Sequence, residues 1–321
     1  MSAEMNWDDV RVFLALARNQ RLNAAAASIN LDPTTVMRRL SRLNAALGVR
    51  LFDHEGSGYV LTDQGQQLLA HAEAVETGIF GMLEQVPREG PMSGAIRVSV
   101  DEGFGSWVVA RKLPQFQELY PNIDIDLVTT TGFLDPSKRE VDVAIHVQRP
   151  ETGRLAMRRL TDFAIRLYAS REYLTTHPPI RSRGDLQEHP FIGFIPDMLQ
   201  TQELNFFDEI APDLAPTRRS ASINAQYTMT VSGLGIGVLP AFIADRDSRL
   251  LPILPDEILI KRSFWFMVAE DMREVARFRA FGKWLDQIIK ASLPLLSGER
   301  VHRDVDNVSA APFPGNWFRP E

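Results

Sequence analysis

The stretch from Leu22 to Phe52, LNAAAASINLDPTTVMRRLSRLNAALGVRLF, sets two helix starts so close together that only a tight turn fits between them. Asn23 is placed to cap a short Ala-rich helix that stops near Asn30. Asp32 then caps a second helix whose first position is Pro33, where a missing N–H costs nothing. In that helix Val36, Leu40, Leu43 and Leu47 recur at spacings of four, three and four and so share one buried face. Thr34, Arg38 and Ser41 lie opposite, Arg42 falls within the same outward arc, and Thr35 and Arg39 flank it. The outward face therefore carries hydroxyls near the N-terminus and guanidinium groups further along. Such a helix suits the major groove of double-stranded DNA, where its N-terminal residues meet base edges and Arg and Thr reach phosphate oxygens.

Charge supports this reading. From Arg18 to Arg50 there are six arginines against one acid, Asp32, a local balance of plus five in a chain whose net charge is −6. A solvated helix face could carry the same residues; the preceding helix and turn weigh against that. After Gly48 ends the helix, Arg50 to Phe52 and Tyr59 to Leu61 alternate like two short strands around a turn of Glu55, Gly56, Ser57 and Gly58. Upstream, Val10, Phe13, Leu14 and Ala17 mark the apolar face of a first helix, with Trp7 packing beneath it. The expected unit is a winged helix-turn-helix.

The run from Asn6 to Gly65 resembles the DNA-binding domain of LysR-type transcriptional regulators. The likeness lies in the spacing of the first helix, the block AAAASIN, the helix PTTVMRRLSRL, the block LGVRLF and the closing LTDQG. The resemblance implies that Pro33, Thr34, Thr35 and Arg38 touch bases or phosphates and that Arg50, in the wing region, touches the backbone. With Asn23, Arg39, Arg42 and His54 these form the expected DNA-binding set. The chain departs from the family's usual pattern at Met37, where Ser is common, at Asn44, where Glu is usual, and at His54, where an Arg normally ends the LGVRLF block. A His carries much less charge than Arg near pH 7, so a phosphate contact at position 54 is expected to be weaker.

Composition narrows the class. The chain has 321 residues, 45% of them hydrophobic, enough for two or three domains with proper cores. No run of ~18 apolar residues could span a bilayer, and the beginning, MSAEMNWDDV, is acidic and polar rather than signal-like, so a cytoplasmic location is expected. Cysteine is absent, which excludes disulfides, thiolate metal sites and thiol redox sensing. Beyond Thr62, a candidate N-cap, a long helix should run to about Glu84 with Leu68, Ala72, Val75, Ile79, Met82 and Val86 four and three apart. That seam calls for a partner helix. The resemblance implies a linker helix that pairs with its copy, giving a homodimer or homotetramer with half-sites ~34 Å or a multiple apart; an amphipathic helix lying on its own domain is the alternative. PREGPMSG, from Pro87 to Gly94, looks like a hinge.

From Ala95 strands and helices alternate. Ile96, Val98 and Val100 form a strand that leads through DEGFGS into a helix with Val109, Leu113 and Phe116 inside. Ile123 to Leu127 and Val141 to Ile145 make further strands. A second series follows: strands at Phe163 to Ala169, Phe191 to Phe194, near Ser222 to Asn224, Ile236 to Leu239 and Phe264 to Ala269, with helices at Ala225 to Ser232 and Glu274 to Ile289. The reading is an α/β multidomain chain: 1–62 winged helix-turn-helix, 63–94 linker helix and hinge, 95–292 a two-lobed effector-binding domain (lobe I 95–162 and 263–292, lobe II 163–262), and 293–321 a tail. The landmarks SGAIRVSV, ARKLPQFQELYPNIDIDL, EVDVAIHV, VSGLGIGVLP and MREVARFRAFGKWL extend the resemblance to about Ala291. They resemble the same family's effector domain, which is similar to periplasmic binding proteins. By position in that architecture a small-molecule effector would meet Asp101, Gly103, Phe104, Gly105, Ser106, Thr130, Thr131 and His146 from one lobe. The other lobe would offer Phe194, Asn224, Ala225, Gln226 and Tyr227. Family members often have a hydroxyl residue or Arg where Asp101 and His146 stand, and the acidic Asp101 argues against a simple carboxylate effector beside it.

Other motifs carry no chemistry. GLGIG, from Gly233 to Gly237, joins a helix to a strand, the reverse of the dinucleotide-binding order, and reads as a close-packed helix end. His54, His71, His146, His177, His189 and His302 show no metal-ligand spacing, and no G-x-S-x-G accompanies them, so no metal, cofactor or catalytic residue is expected. The Pro-rich end, including FPGNWF, reads as an extended tail. The leading reading is a sequence-specific transcription regulator gated by a small molecule; the alternative is an α/β binding protein or enzyme with an incidental helix-turn-helix. The basic helix and the dimer seam separate the two.

Overall fold

A computed structural model describes residues 5–56, 58–85, 92–130, 132–150, 153–199 and 201–299. The N-terminal unit is built on α1 (Trp7–Asn19), α2 (Leu22–Ser28), α3 (Pro33–Leu47) and an antiparallel hairpin of β1 (Phe52–Glu55) and β2 (Gly58–Leu61). Asp32 caps α3 by accepting from Thr34 N–H at 2.8 Å, and Gly48 closes the helix at φ 68, in the left-handed region that glycine adopts without strain. Val36, Leu40 and Leu43 are buried with Phe13, Leu14, Leu16, Ala25 and Ala26 in one core. Leu47 departs from the expected face: it is 38% exposed, because α3 ends there at its last turn. The cap expected at Asn23 is also corrected. Arg21 holds that position without a side-chain cap bond, and Asn23 lies exposed inside α2.

The long helix α4 (Asp63–Gln85) starts where expected, with Thr62 Oγ accepting from Gly65 N–H at 3.0 Å. Gly65 is required there, because a Cβ would lie 2.2 Å from the Leu51 carbonyl oxygen. Along the proposed seam Ala72 is buried in the N-terminal core and Leu68 packs against it, so this first stretch serves its own domain. Val75 is half exposed and Ile79 partly buried; the Met82 side chain, Val86 and most of the expected hinge lie outside the described residues. Glu76, buried on the same helix, receives Arg18 at 2.5 Å and Arg139 at 3.4 Å, and Arg139 also pairs with Asp271. These ions join the N-terminal unit to the first lobe of the C-terminal domain.

That domain comprises β3 (Ser93–Asp101), a turn of α5 (Glu102–Phe104), a π turn (Gly105–Val109), α6 (Ala110–Leu119), β4 (Asn122–Thr130), β5 (Val143–His146) and β6 (Leu155–Ser170). The chain continues through α7 (Arg171–Thr176), β7 (Phe191–Gly193), α8 (Phe207–Ile210), β8 (Arg218–Arg219), α9 (Ile223–Val231), β9 (Ile236–Pro240), α10 (Ala241–Ala244), β10 (Leu250–Ile253), β11 (Ile260–Ala269) and α11 (Ala276–Leu296). One sheet runs in the order β4-β3-β5-β11-β6-β9-β7-β8, with β10 beside β6. The early half of β6 pairs with the late half of β11 next to β5, and its later half with β9 and β10. Two long strands thus pass through both lobes, with a bulge in β11 between Phe264 and Trp265. The strand expected near Ser222 is instead the start of α9, because the Ser222 hydroxyl accepts from Ala225 N–H at 3.1 Å and opens a helix. The tail boundary expected at position 293 falls inside a helix. Helix α11 continues through Pro294 to Leu296, which is fully buried, and residues 300–321 lie outside the described set. In the GLGIG loop a Cβ on Gly235 would sit 2.4 Å from the Pro190 carbonyl oxygen and one on Gly237 would meet the Thr230 hydroxyl at 2.1 Å, so these glycines serve close packing.

Candidate nucleic-acid interface and interlobe cavity

At the N-terminus of α3, Asp32 accepts from both the amide and the hydroxyl of Thr34, which orients the first turn. Those two bonds hold its carboxyl below the ordinary value. Pro33, Thr34, Thr35 and Arg38 lie along the start of this helix, with Thr34 and Arg38 exposed. Among the described residues Arg38 has no hydrogen bond or ion pair. The neighbouring arginines differ. Arg39 pairs with Asp8 at 2.9 Å, and Arg42 holds the buried Asp9 through Nε at 2.6 Å and through a second, shorter bond. Two of the cations counted on the outward face therefore clamp α3 to α1. Arg50 is 77% exposed and only loosely near Asp53 at 3.7 Å.

Met37, Asn44 and His54 all make contacts at the wing or its entry. The Tyr59 hydroxyl donates to Met37 Sδ at 3.6 Å, so Met37 seats the hairpin on α3. Asn44 Oδ1 accepts from Leu51 N–H at 3.3 Å, fixing the entry to β1. His54 packs edge-on against Tyr59 and is exposed. Asn23 lies exposed on α2, away from the capping role expected for it.

Between the lobes a partly open space of about 70 Å³ is walled by aromatic and aliphatic side chains. Among the expected ligand residues, Asp101, Gly103, Phe104, Thr130 and Phe194 line it. His146 lies behind Asp101 instead: its Nδ1 bonds Asp101 Oδ1 and its Nε2 shares a bond with Ser99 Oγ, each at 2.7 Å. Asp101 Oδ2 accepts from Val147 N–H at 2.7 Å. Gly105 is a packing position, since a Cβ would sit 2.6 Å from Val100. Ser106, Asn224, Ala225 and Gln226 are absent from the wall; Gln226 is buried and donates to the Ser220 carbonyl, and Asn224 accepts from Trp107 Nε1 at 2.7 Å. The Tyr227 hydroxyl donates to Asp247. Thr131 lies outside the described residues.

The residue that sequence reasoning passed over is Glu102. Its Oε1 accepts from the Ser222 hydroxyl at 2.8 Å and from Asn224 Nδ2 at 3.0 Å, and its Oε2 accepts from Ile223 N–H at 2.9 Å. A side chain following β3 thereby caps α9 of the other lobe. Near the same cleft, burial raises the pKa of Glu203, while Arg262 opposes the shift and Asp101 adds to it. Among the described residues no group of three or more His, Asp or Glu side chains could hold a metal ion, and no helix is long and apolar enough to cross a membrane.

Comparison with known proteins agrees with both halves of this geometry. Residues 7–66 match the family model for the bacterial regulatory helix-turn-helix protein, lysR family, and residues 89–289 match that for the LysR substrate binding domain. Along the whole chain, similarity extends to the HTH-type transcriptional regulator PtxR of Pseudomonas aeruginosa, 26% identical and covering 86% of this chain and 91% of that protein. The Mau operon transcriptional activator of Paracoccus denitrificans is 25% identical, covering 90% and 98%. The solved structure of CrgA, a LysR-type transcriptional regulator from Neisseria meningitidis, aligns with a TM-score of 0.55 at 25% identity, over 88% of this chain and 99% of that one.

Proposed function

Because the chain belongs to the LysR family, and is accordingly a DNA-binding transcriptional regulator and not an enzyme, we propose that Thr34, Thr35 and Arg38 carry its contacts to the DNA major groove. The observation that supports this most is the contrast along α3. Arg38 is exposed and unpartnered among the described residues, beside a capped first turn, whereas Arg39 and Arg42 are held by Asp8 and Asp9. Pro33 and Asn23 border this surface, and Arg50 and His54 in the wing reach the sugar-phosphate backbone, His54 weakly. Residues 1–62 are the reading domain, the linker follows from 63, and the effector domain begins with β3 at Ser93 and runs to Leu296, at the end of α11, in a cytoplasmic homodimer or homotetramer. Val75 and Ile79 lie on the part of the helix offered to a second copy, since Leu68 and Ala72 serve the chain's own core. A small molecule in the interlobe cavity shifts the relative pose of the lobes and so the spacing of the two reading heads.

Sequencing DNA fragments selected from a random pool by the pure protein tests this reading. The expected product is a roughly palindromic motif with half-sites ~34 Å apart or a multiple of that. Recovery of no motif, or of unpaired sites without regular spacing, would remove the assignment of α3.

A further inference from the structure

The interlobe cavity has an unusual distribution of polar groups. Its wall is dominated by Phe104, Phe163, Phe242 and Phe264, with Ile165 and Ile223, and the two carboxylates that reach it are already satisfied. Both oxygens of Asp101 accept, from the His146 ring and the Val147 amide. Both oxygens of Glu102 accept, from Ser222, Ile223 and Asn224. The Thr130 hydroxyl oxygen accepts from Gly132 N–H at 3.0 Å. Glu102 therefore fills the N-terminus of α9, a position beside the cavity where an incoming anion would otherwise find free N–H groups and a favourable helix dipole.

We propose that the effector of this chain is a small, neutral, predominantly apolar ring compound, and that Glu102 sets this specificity by acting as an internal ligand in the place of an effector carboxylate. This rests on the reading of the cavity as the effector site. A carboxylate entering as Glu102 stands must give up its hydration, finds the N-terminus of α9 already occupied and faces two carboxylates. An ammonium group is drawn to the same two carboxylates but must shed its hydration against a wall of phenylalanine rings, where both carboxylates already accept from other donors. A ring buries apolar surface against this wall and requires no new hydrogen-bond partner. At about 70 Å³ the cavity is smaller than the ~150 Å³ that admits benzene in an engineered protein core. A ring fits once the lobes part slightly, with Glu102 as the tether that limits the opening.

The test compares thermal stabilisation of the full-length protein by toluene, benzoate and benzylamine at matched concentrations. Wild type, Glu102→Ala and two cavity-filling variants, Ile223→Phe and Ile165→Phe, are measured side by side, with circular dichroism to select folded variants. Toluene is expected to bind wild type at least about tenfold more tightly than benzoate or benzylamine. Glu102→Ala should narrow the toluene-to-benzoate ratio by about tenfold or more, and a cavity-filling variant should abolish the toluene shift. Benzoate or benzylamine binding wild type as well as toluene does, with loss in the filled variants, overturns the ligand class while leaving the cavity as the effector site. A toluene shift that survives filling, or no shift with any probe, overturns the site assignment and the inference with it.

Discussion

Arg38 and Arg42 lie on the same helix, differ by one turn and should behave oppositely. Arg38 has no partner among the described residues, so Arg38→Ala removes nothing from the fold, and stability should change by no more than about 0.5 kcal/mol, the usual range for a bare surface position. Its effect belongs to the complex. Each phosphate neutralised on duplex DNA contributes about 0.9 to the slope of log affinity against log salt. Losing one contact should therefore flatten that slope by about one. Between roughly 50 and 200 mM salt, a fourfold change, the variant should lose about 3.5-fold less affinity than the parent loses. Arg42→Ala should lower the melting temperature, because Asp9, buried in the N-terminal core, is left without the guanidinium that binds both its oxygens. Measured well below its melting temperature, its salt slope should match the parent. Fluorescence anisotropy with a labelled operator over a salt series, paired with thermal melts, gives both quantities. An unchanged slope for Arg38→Ala, or an equal flattening for Arg42→Ala, would refute the division between reading and clamping arginines.

Two further outcomes follow from packing and burial. Gly65→Ala places a Cβ against the Leu51 backbone oxygen and Leu61, neither of which can yield without moving the hairpin, so chemical denaturation should report a loss of roughly 1–3 kcal/mol. His189, hydrogen-bonded to the Tyr173 hydroxyl, has its pKa held below the ordinary 6.5, first by burial and then by His177. The unfolded chain then binds more protons than the folded one below that value, so this group's contribution is complete above about pH 6.5 and is lost as pH falls toward the folded value. The urea midpoint of the wild type should drop more between roughly pH 7.5 and 5.5 than that of His189→Gln, and equal drops would contradict the account.

What could be read along the sequence was local. The Asp32 cap, Pro33, the apolar spacing of Val36, Leu40 and Leu43, and the glycine at position 48 all act within a few residues, and the structure places α3 where they put it. The alternation of strands and helices likewise located the sheet domain. Long-range pairing was not legible. The local balance of plus five around α3 overstated the free positive charge, because Asp8, Asp9 and Glu76, which engage Arg39, Arg42 and Arg18, stand outside the counted stretch. Glu102 escaped notice for the same reason: its partners are over a hundred residues away, and a Glu beside Asp101 in a Gly-containing loop looks like solvated charge. Ala72 fitted a dimer seam by spacing, yet spacing along α4 cannot tell a neighbouring chain from the core beneath the helix. A tail was expected from position 293, but a helix whose last turn buries Leu296 carries on through Pro294.

The central claim is that the first turns of α3 read bases. Repeating the DNA selection with Thr35→Ala tests it most directly, since a hydroxyl at a base edge specifies sequence while phosphate contacts only position the protein. The account predicts a motif with unchanged half-site spacing in which one or two base positions per half-site lose their preference. A motif identical to that of the parent at every position would contradict it.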